Sequence, residues 1–382
     1  MTEHQTGQSV SSDLAITKSD EMLVLVFQGG GALGSYQGGV FEAMERRGAR
    51  PDWVAGISIG AINAALVAGN PPGERSHALR RFWDEVSSNI TFGAPLPGLL
   101  METSFNEVSA ASTALYGVPG FFKPRFPPTY LLPNTAPGTI GYYDTAPLRA
   151  TLERLVDFDR LNDGETRVSL GAVNVGTGNF RYFDTNDTRI GPEHVMASGA
   201  LPPGFPPIEI EGEWYWDGGL VSNTPLQYVL ERDHHHDMCI FQVDLFSAKG
   251  PLPETIFDIA EREKDIRFSS RTRLNTDMVK EQRKLRRALH RLLSKLPAEL
   301  ADDPDARLLA DRTNDASVTI VHLINRRKAA SRDSKDYEFS RRSVDARWSD
   351  GLADAEATLE DERFLNRRMP PHSVEVLDLT RE

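Results

Sequence analysis

Apolar residues run almost unbroken through residues 22–27, the pattern of a strand buried on both faces of a parallel sheet. The turn Gln28-Gly29-Gly30-Gly31-Ala32-Leu33-Gly34 follows. Val40, Phe41 and Met44 then recur at helical spacing up to a stop near Gly48. Residues 53–57 predict a second short strand, and the small residues of 61–68 a helix directly behind it. Strand–turn–helix, twice over, is the signature of a parallel α/β sheet. Further on, the periodicity predicts helices over 75–86, 147–156, 193–200 and 226–230. It predicts strands over 167–174, 179–184, 239–245 and 318–324. The expected fold class is α/β, a three-layer αβα arrangement with a mainly parallel sheet and a helical C-terminal extension.

Two stretches depart from this rhythm. Residues 87–143 are rich in Pro, Gly and aromatics and lack periodicity, which is unusual for a connection inside a compact domain. Phe121, Phe122, Phe126, Tyr130, Leu131 and Leu132 give it the apolar content of a lid-like or interfacial insertion; the plainer alternative is an excursion that covers core. Residues 262–295 carry twelve Lys/Arg against four Asp/Glu, with Met278, Leu285, Leu289, Leu292 and Leu296 at helical spacing. Such a basic amphipathic helix packs on a core, meets an anionic lipid surface or acidic partner, or forms a dimer seam. The division expected is a polar tail over 1–20, a main domain over 21–245 and an extension over 246–382 with one or two further strands.

Composition narrows the class. The 382 residues are 40% hydrophobic and 26% charged, as in a globular protein with a sizeable core. A formal net charge of −12 disfavours nucleic acid as a partner. The segment 1–20 has no apolar run of the signal-peptide kind, and no stretch is apolar enough to span a membrane. The lone Cys239 cannot form an internal disulfide, which fits a cytoplasmic protein, peripheral to a membrane if the basic segment binds lipid.

Three motifs carry chemistry. In Gly56-Ile57-Ser58-Ile59-Gly60 a serine sits between a strand and a helix, where a sharp turn lifts its hydroxyl clear of the sheet. Gly56 and Gly60 leave room for that turn, and the helix N-terminus behind it favours developing negative charge. In the turn of Gly29, Gly30, Gly31 and Gly34, successive backbone N–H groups form an anion-binding concavity. The same glycines satisfy the dinucleotide-binding fingerprint, so a nucleotide-binding oxidoreductase is the rival reading. That fingerprint wants an acid at the end of the next strand, whereas Asp52 precedes it and the Ser58 turn occupies the end. Third, Asp217-Gly218-Gly219 places a carboxylate before two glycines, often only a turn. As a base for Ser58, Asp217 needs desolvation to lift its basicity, and Trp214 and Trp216 are the candidates for shielding it.

Together the three motifs resemble the patatin-like phospholipases, over roughly residues 22–245. The run Ala197-Ser198-Gly199-Ala200-Leu201-Pro202 with Phe205-Pro206-Pro207 is similar to the family's stretch before the aspartate. The resemblance implies a Ser–Asp dyad without histidine, an oxyanion hole from the glycine loop, and lipid acyl-ester hydrolysis with no metal or cofactor. Carried over, Ser58 is the nucleophile, Asp217 the dyad acid, and Gly29, Gly30 and Gly31 the oxyanion donors; Gly34, Gly56, Gly60, Gly218 and Gly219 support the turns. One departure is Leu33, where many members carry Arg or Lys. The part with Phe339-Ser340-Arg341 and Trp348 looks like the extension of a bacterial subgroup.

The histidines offer little competition. A conventional hydrolase triad needs a late histidine. His322 is the candidate by order, but it lies mid-strand. His234-His235-His236 are too close in sequence to converge on one metal ion and read as a polar loop. A catalytically idle lipid-binding protein is the remaining alternative.

Overall fold

The structure is a computed structural model. It describes residues 16–17, 21–87, 113, 115–131, 136–232, 236–297, 300, 303–310, 313, 316–326, 336–367 and 374–380; within these, the side chains of Tyr130, Phe257, residues 270–280 and Arg283 are not described. The polar tail (1–20, apart from 16–17), much of the lid-like stretch, and His234 and His235 therefore lie outside the described residues.

The first half runs β1 (Glu21–Phe27), α1 (Ser35–Arg46), β2 (Trp53–Ile57), α2 (Ile59–Ala68) and α3 (Arg75–Val86), then the two-residue strands β3 (Lys123–Pro124) and β4 (Tyr143–Asp144). Helices α4 (Ala146–Leu155) and α5 (Phe158–Asp163) lead to β5 (Arg167–Asn174) and β6 (Phe180–Asp184). Next come α6 (Pro192–Ser198), β7 (Ile208–Ile210), β8 (Glu213–Asp217), α7 (Leu226–Arg232) and β9 (Asp237–Asp244). The remainder holds α8 (Ile256–Leu293), α9 (Pro304–Ala310), β10 (Val318–Ile324), α10 (Arg341–Glu360), α11 (Glu362–Leu365) and β11 (Val374–Asp378).

Nine strands form one sheet in the order β11-β10-β9-β1-β2-β5-β8-β7, with β6 also paired to β5. The run from β11 to β5 is parallel, and β6, β7 and β8 pair antiparallel. The sheet is thus mainly parallel, as expected, with an antiparallel flank. Its apolar residues alternate between faces. Leu23, Leu25, Phe27, Phe241 and Val243 pack with α1, α2 and α10. Val24, Val26, Trp53, Met238, Ile240 and Ile320 pack with Leu226, Val229 and Leu230 of α7 on the other face.

The pairing of β5 positions the site. Gly171 pairs with Ile57 of β2 on one edge and with Tyr182 of β6 on the other. One residue on, Ala172 pairs with Arg181 of β6 and with Asp217 of β8. Strand β8 therefore takes up the edge where β2 leaves it, and the residue after Ile57 is Ser58. Sheet register alone brings the end of β2 against Asp217.

The C-terminal extension is continuous with this body. Strands β10 and β11 lengthen the same sheet beyond β9. Helix α10 crosses α1 at glycine contacts: a Cβ on Gly39 would lie 1.9 Å from the Trp348 carbonyl oxygen, and one on Gly351 2.1 Å from that of Tyr36. Arg367 and Glu21, both buried, form an ion pair of 2.7 Å between the end of the chain and β1. All but the last two residues of the basic segment lie within α8, which anchors through Phe268 on Phe246 with ring centres 5.0 Å apart. Leu285 and Leu292 are exposed, so these two leucines of α8 do not pack on the core.

Candidate active site

Ser58 occupies a turn that the rest of the chain holds in place. Its φ of 57° and ψ of −124° are rare for a residue with a side chain and mark stored backbone strain. The flanking glycines are sterically required. A Cβ on Gly56 would lie 2.2 Å from the Gly60 carbonyl oxygen, and one on Gly60 2.4 Å from that of Phe27. The Ser58 amide donates to Ser198 Oγ at 3.0 Å, and that hydroxyl donates to the Gly171 carbonyl at 2.6 Å. Ser198 belongs to the run before the aspartate, so that run braces the serine turn.

Asp217 ends β8 with 2% of its surface exposed. Its Oδ1 accepts from the Gly219 amide at 2.7 Å, and it shares the lining of one cavity with Ser58. Burial pushes its pKa up to about 7, against the opposing pull of the Ser58 hydroxyl and the Gly219 amide. The expected shielding by tryptophan is not the cause. Along β8, side chains alternate, so Trp214 and Trp216 face away from the side shared by Tyr215 and Asp217. Gly218 is tight, a Cβ there lying 2.5 Å from the Gly171 carbonyl oxygen.

The glycine loop lies against both groups. A Cβ on Gly29 would come within 3.0 Å of the Ser58 Cβ and 2.4 Å of Asn223 Oδ1. The Gly29 amide donates to the Asn223 carbonyl at 3.2 Å, and Asn223 Nδ2 donates to the Gly29 carbonyl at 3.0 Å. Among the described residues, the Gly30 and Gly31 amides have no protein acceptor. Gln28, fully buried, fixes the loop's root. Its Nε2 donates to Thr224 Oγ1 at 3.0 Å, and its Oε1 accepts from the Leu245 and Phe246 amides at 2.6 and 3.0 Å. Gln28, Asn223 and Thr224 carry structural duties that their motifs did not announce; a buried glutamine directly before the glycines was the available signal. At Gly34, a Cβ would lie 2.6 Å from the Ile59 side chain.

Above these groups lies a cavity of about 430 Å³. Ser58, Asp217 and the three loop glycines reach it, and its walls are largely aromatic. The lid-like stretch supplies Phe121, Phe122, Tyr142 and Tyr143, and the extension supplies Phe339. Phe122 packs on Tyr143 and Phe205 with ring centres 4.7 and 5.1 Å apart. The competing candidates sit elsewhere. Asp52 Oδ2 accepts from the Leu23 amide at 2.7 Å, near the start of β1 and a strand's length from the glycine loop. His322 is on β10, with β9 and β1 between it and β2, about 14 Å across three strand spacings.

A family model described as patatin-like phospholipase matches residues 25–230, more than half of the chain. The chain belongs to this family. A second model, described as patatin phospholipase, matches residues 266–371, within the extension. A cGAMP-activated phospholipase of Escherichia coli (strain TW11681) is 27% identical over 229 residues, covering 56% of this chain and 56% of that protein. The match thus spans little more than half of the relative's length. Among solved structures, VipD from Legionella pneumophila is similar at 13% identity and a TM-score of 0.38, over 92% of this chain and 67% of that one. The ExoU–SpcU complex of Pseudomonas aeruginosa is similar at 14% identity and a TM-score of 0.28, over 78% and 60%. Likeness at this level bears on neither substrate nor partner.

Proposed function

We propose that the protein is a serine acyl-ester hydrolase acting on lipid through a Ser58–Asp217 dyad. The observation that carries this reading is Ser58, in a strained turn, sharing the floor of an apolar cavity with the buried carboxylate of Asp217. Ser58 Oγ attacks the ester carbonyl carbon while its proton passes to Asp217. The oxyanion is held by the Gly30 and Gly31 amides, whose hydrogens have no protein acceptor among the described residues, and Gly29 serves to shape the loop. Collapse of the tetrahedral intermediate expels the alcohol, which takes the proton from Asp217. Water then gives a proton to Asp217 as it attacks the acyl-serine; collapse releases the fatty acid while Ser58 Oγ takes that proton back from Asp217.

The substrate class follows from the walls and the relatives. Aromatic and aliphatic side chains line the cavity, Asp217 and Asp336 are the charged groups among its described lining, and the relative from E. coli is named a phospholipase. A phospholipid acyl chain is the guest we propose. Membrane contact through residues 262–296 or the lid-like stretch goes with it, since Leu285 and Leu292 are exposed on a basic helix. No helix among the described residues is long and apolar enough to cross a membrane. Neutralising Arg283, Lys284, Arg286 and Arg287 should reduce binding to anionic vesicles; unchanged binding removes this part of the proposal.

The nucleotide reading is disfavoured by Asp52's position and by Asp336, whose carbonyl oxygen occupies the space beside Gly31. The test is hydrolysis of short- and long-chain p-nitrophenyl esters by wild type, Ser58→Ala and Asp217→Asn, with fluorophosphonate labelling in parallel. Turnover and labelling in the wild type, both lost in Ser58→Ala, are expected. Vesicle binding without turnover points to an idle lipid binder, and labelling that survives Ser58→Ala sinks the dyad.

A further inference from the structure

We infer that Lys264, Asp336 and Arg347, all from the C-terminal extension, are positioning residues that hold the glycine loop in register with Ser58. The inference rests on reading that loop as the oxyanion hole. A run of three glycines has the freest backbone the chain can make, so nothing local keeps its amides aimed at one point. Stabilisation of an oxyanion depends on donors that are already oriented before the charge appears.

Here the orientation is imposed from outside the loop. The Ala32 amide donates to the Asp336 carbonyl at 2.8 Å. The Ala32 carbonyl accepts from Arg347 Nη1 at 3.2 Å and from Ser35 Oγ at 3.2 Å. The peptide groups on both sides of Ala32 are therefore clamped. Gly31, one residue back, adopts a φ of +55°, and a Cβ there would lie 2.3 Å from the Asp336 carbonyl oxygen. The contact leaves no slack.

Each clamp is itself secured. Lys264 of α8 pairs with Asp336 at 2.8 Å, the two side chains being 23% and 13% exposed. Arg347 of α10 donates to the Glu338 carbonyl at 2.9 Å and lies 3.6 Å from its carboxylate, which is buried. Tyr337 and Phe339, on the same strap, line the cavity. The strap is thus both a wall of the pocket and a brace for the loop. Lys264, Asp336 and Arg347 all lie beyond the segment 25–230 matched by the patatin-like family model.

The test compares the full-length wild type with Lys264→Met, Lys264→Arg and the exchanged pair Lys264→Asp/Asp336→Lys. Deuterium uptake of the peptide covering residues 28–36 is read alongside kcat and KM for a p-nitrophenyl ester, and melting curves establish that each variant is folded. Lys264→Met is expected to raise uptake in that peptide and lower kcat on the order of tenfold, with KM little changed. Lys264→Arg or the exchanged pair is expected to recover part of both. Unchanged uptake overturns the inference, as does raised uptake with an unaltered kcat, or a change in KM alone. A wild type that turns over no ester brings down the hydrolase reading, while the uptake comparison still decides whether Lys264 holds the loop.

Discussion

Replacing Asp217 by asparagine should abolish turnover and at the same time stabilise the fold at alkaline pH. The carboxyl is held up to about 7 from an ordinary 3.8, because burial penalises its charge more than the Ser58 hydroxyl and the Gly219 amide favour it. The folded chain therefore keeps a proton that the unfolded chain gives up. Below about pH 4 both forms are protonated and the group is neutral in its effect. As pH rises from there to about 7, stability declines, by up to about 1.4 kcal/mol per unit for one proton, and above that window the full cost remains. The shift of about three units corresponds to roughly 4 kcal/mol, a large share of a typical domain's 5–15 kcal/mol. Asparagine keeps the shape and the acceptor for the Gly219 amide, and removes the charge. Asp244 is buried and likewise raised to about 7, so Asp217→Asn should still lose stability as pH rises, but with a slope about one proton smaller than the wild type's. Urea denaturation at about pH 5 and about pH 8.5 reads both slopes. If Asp217→Asn is no more stable than wild type at the higher pH, burial does not penalise the charged acid and Asp217 is not the strengthened base proposed here.

Three further outcomes follow from the same geometry. Since the base must be deprotonated, kcat/KM should climb about tenfold per unit below pH about 7 and level off above it; a flat profile from pH 5 to 9 contradicts this. Ser58→Gly should lose activity yet gain about 1 kcal/mol, because glycine adopts the turn without strain; equal or lower stability argues against a strained elbow. Gly39→Ala should cost about 1–3 kcal/mol by forcing α1 from α10, measured by denaturation midpoint, and an unchanged midpoint means the helices are not in tight contact.

The parts of the fold legible in the sequence are those decided locally. The strands over 53–57 and 318–324 and the helix over 75–86 have their expected limits, because continuous apolar runs and a helical stripe end where polar residues begin. The serine and aspartate motifs could be read because each needs glycines where a Cβ would collide with backbone. Other features were decided at long range. Helix α10 is highly charged, and its docking depends on Gly38 and Gly39, far earlier in the chain, leaving space for Trp348. Strand β7, at three residues, is too short to show a period. Nothing in Asp336 or Lys264 announces that they meet above a glycine loop hundreds of residues upstream. The shielding assigned to Trp214 and Trp216 was correctable from sequence, since counting by twos from Asp217 puts both on the opposite face.

The order of strands across the sheet also governs how the chain can be born. β1 is made first and lies centrally, and one of its two neighbours, β9, comes from residues 237–244. Glu21 waits longer still, for Arg367. On a ribosome, which releases the N-terminal part first, the serine emerges well before Asp217 and before the strand that closes the sheet's centre. Such dependence on distant pairing slows folding, and it leaves an apolar strand edge uncovered while synthesis continues. The same order keeps a half-made chain from bringing Ser58 and Asp217 together, a useful delay for a protein proposed to cut lipids.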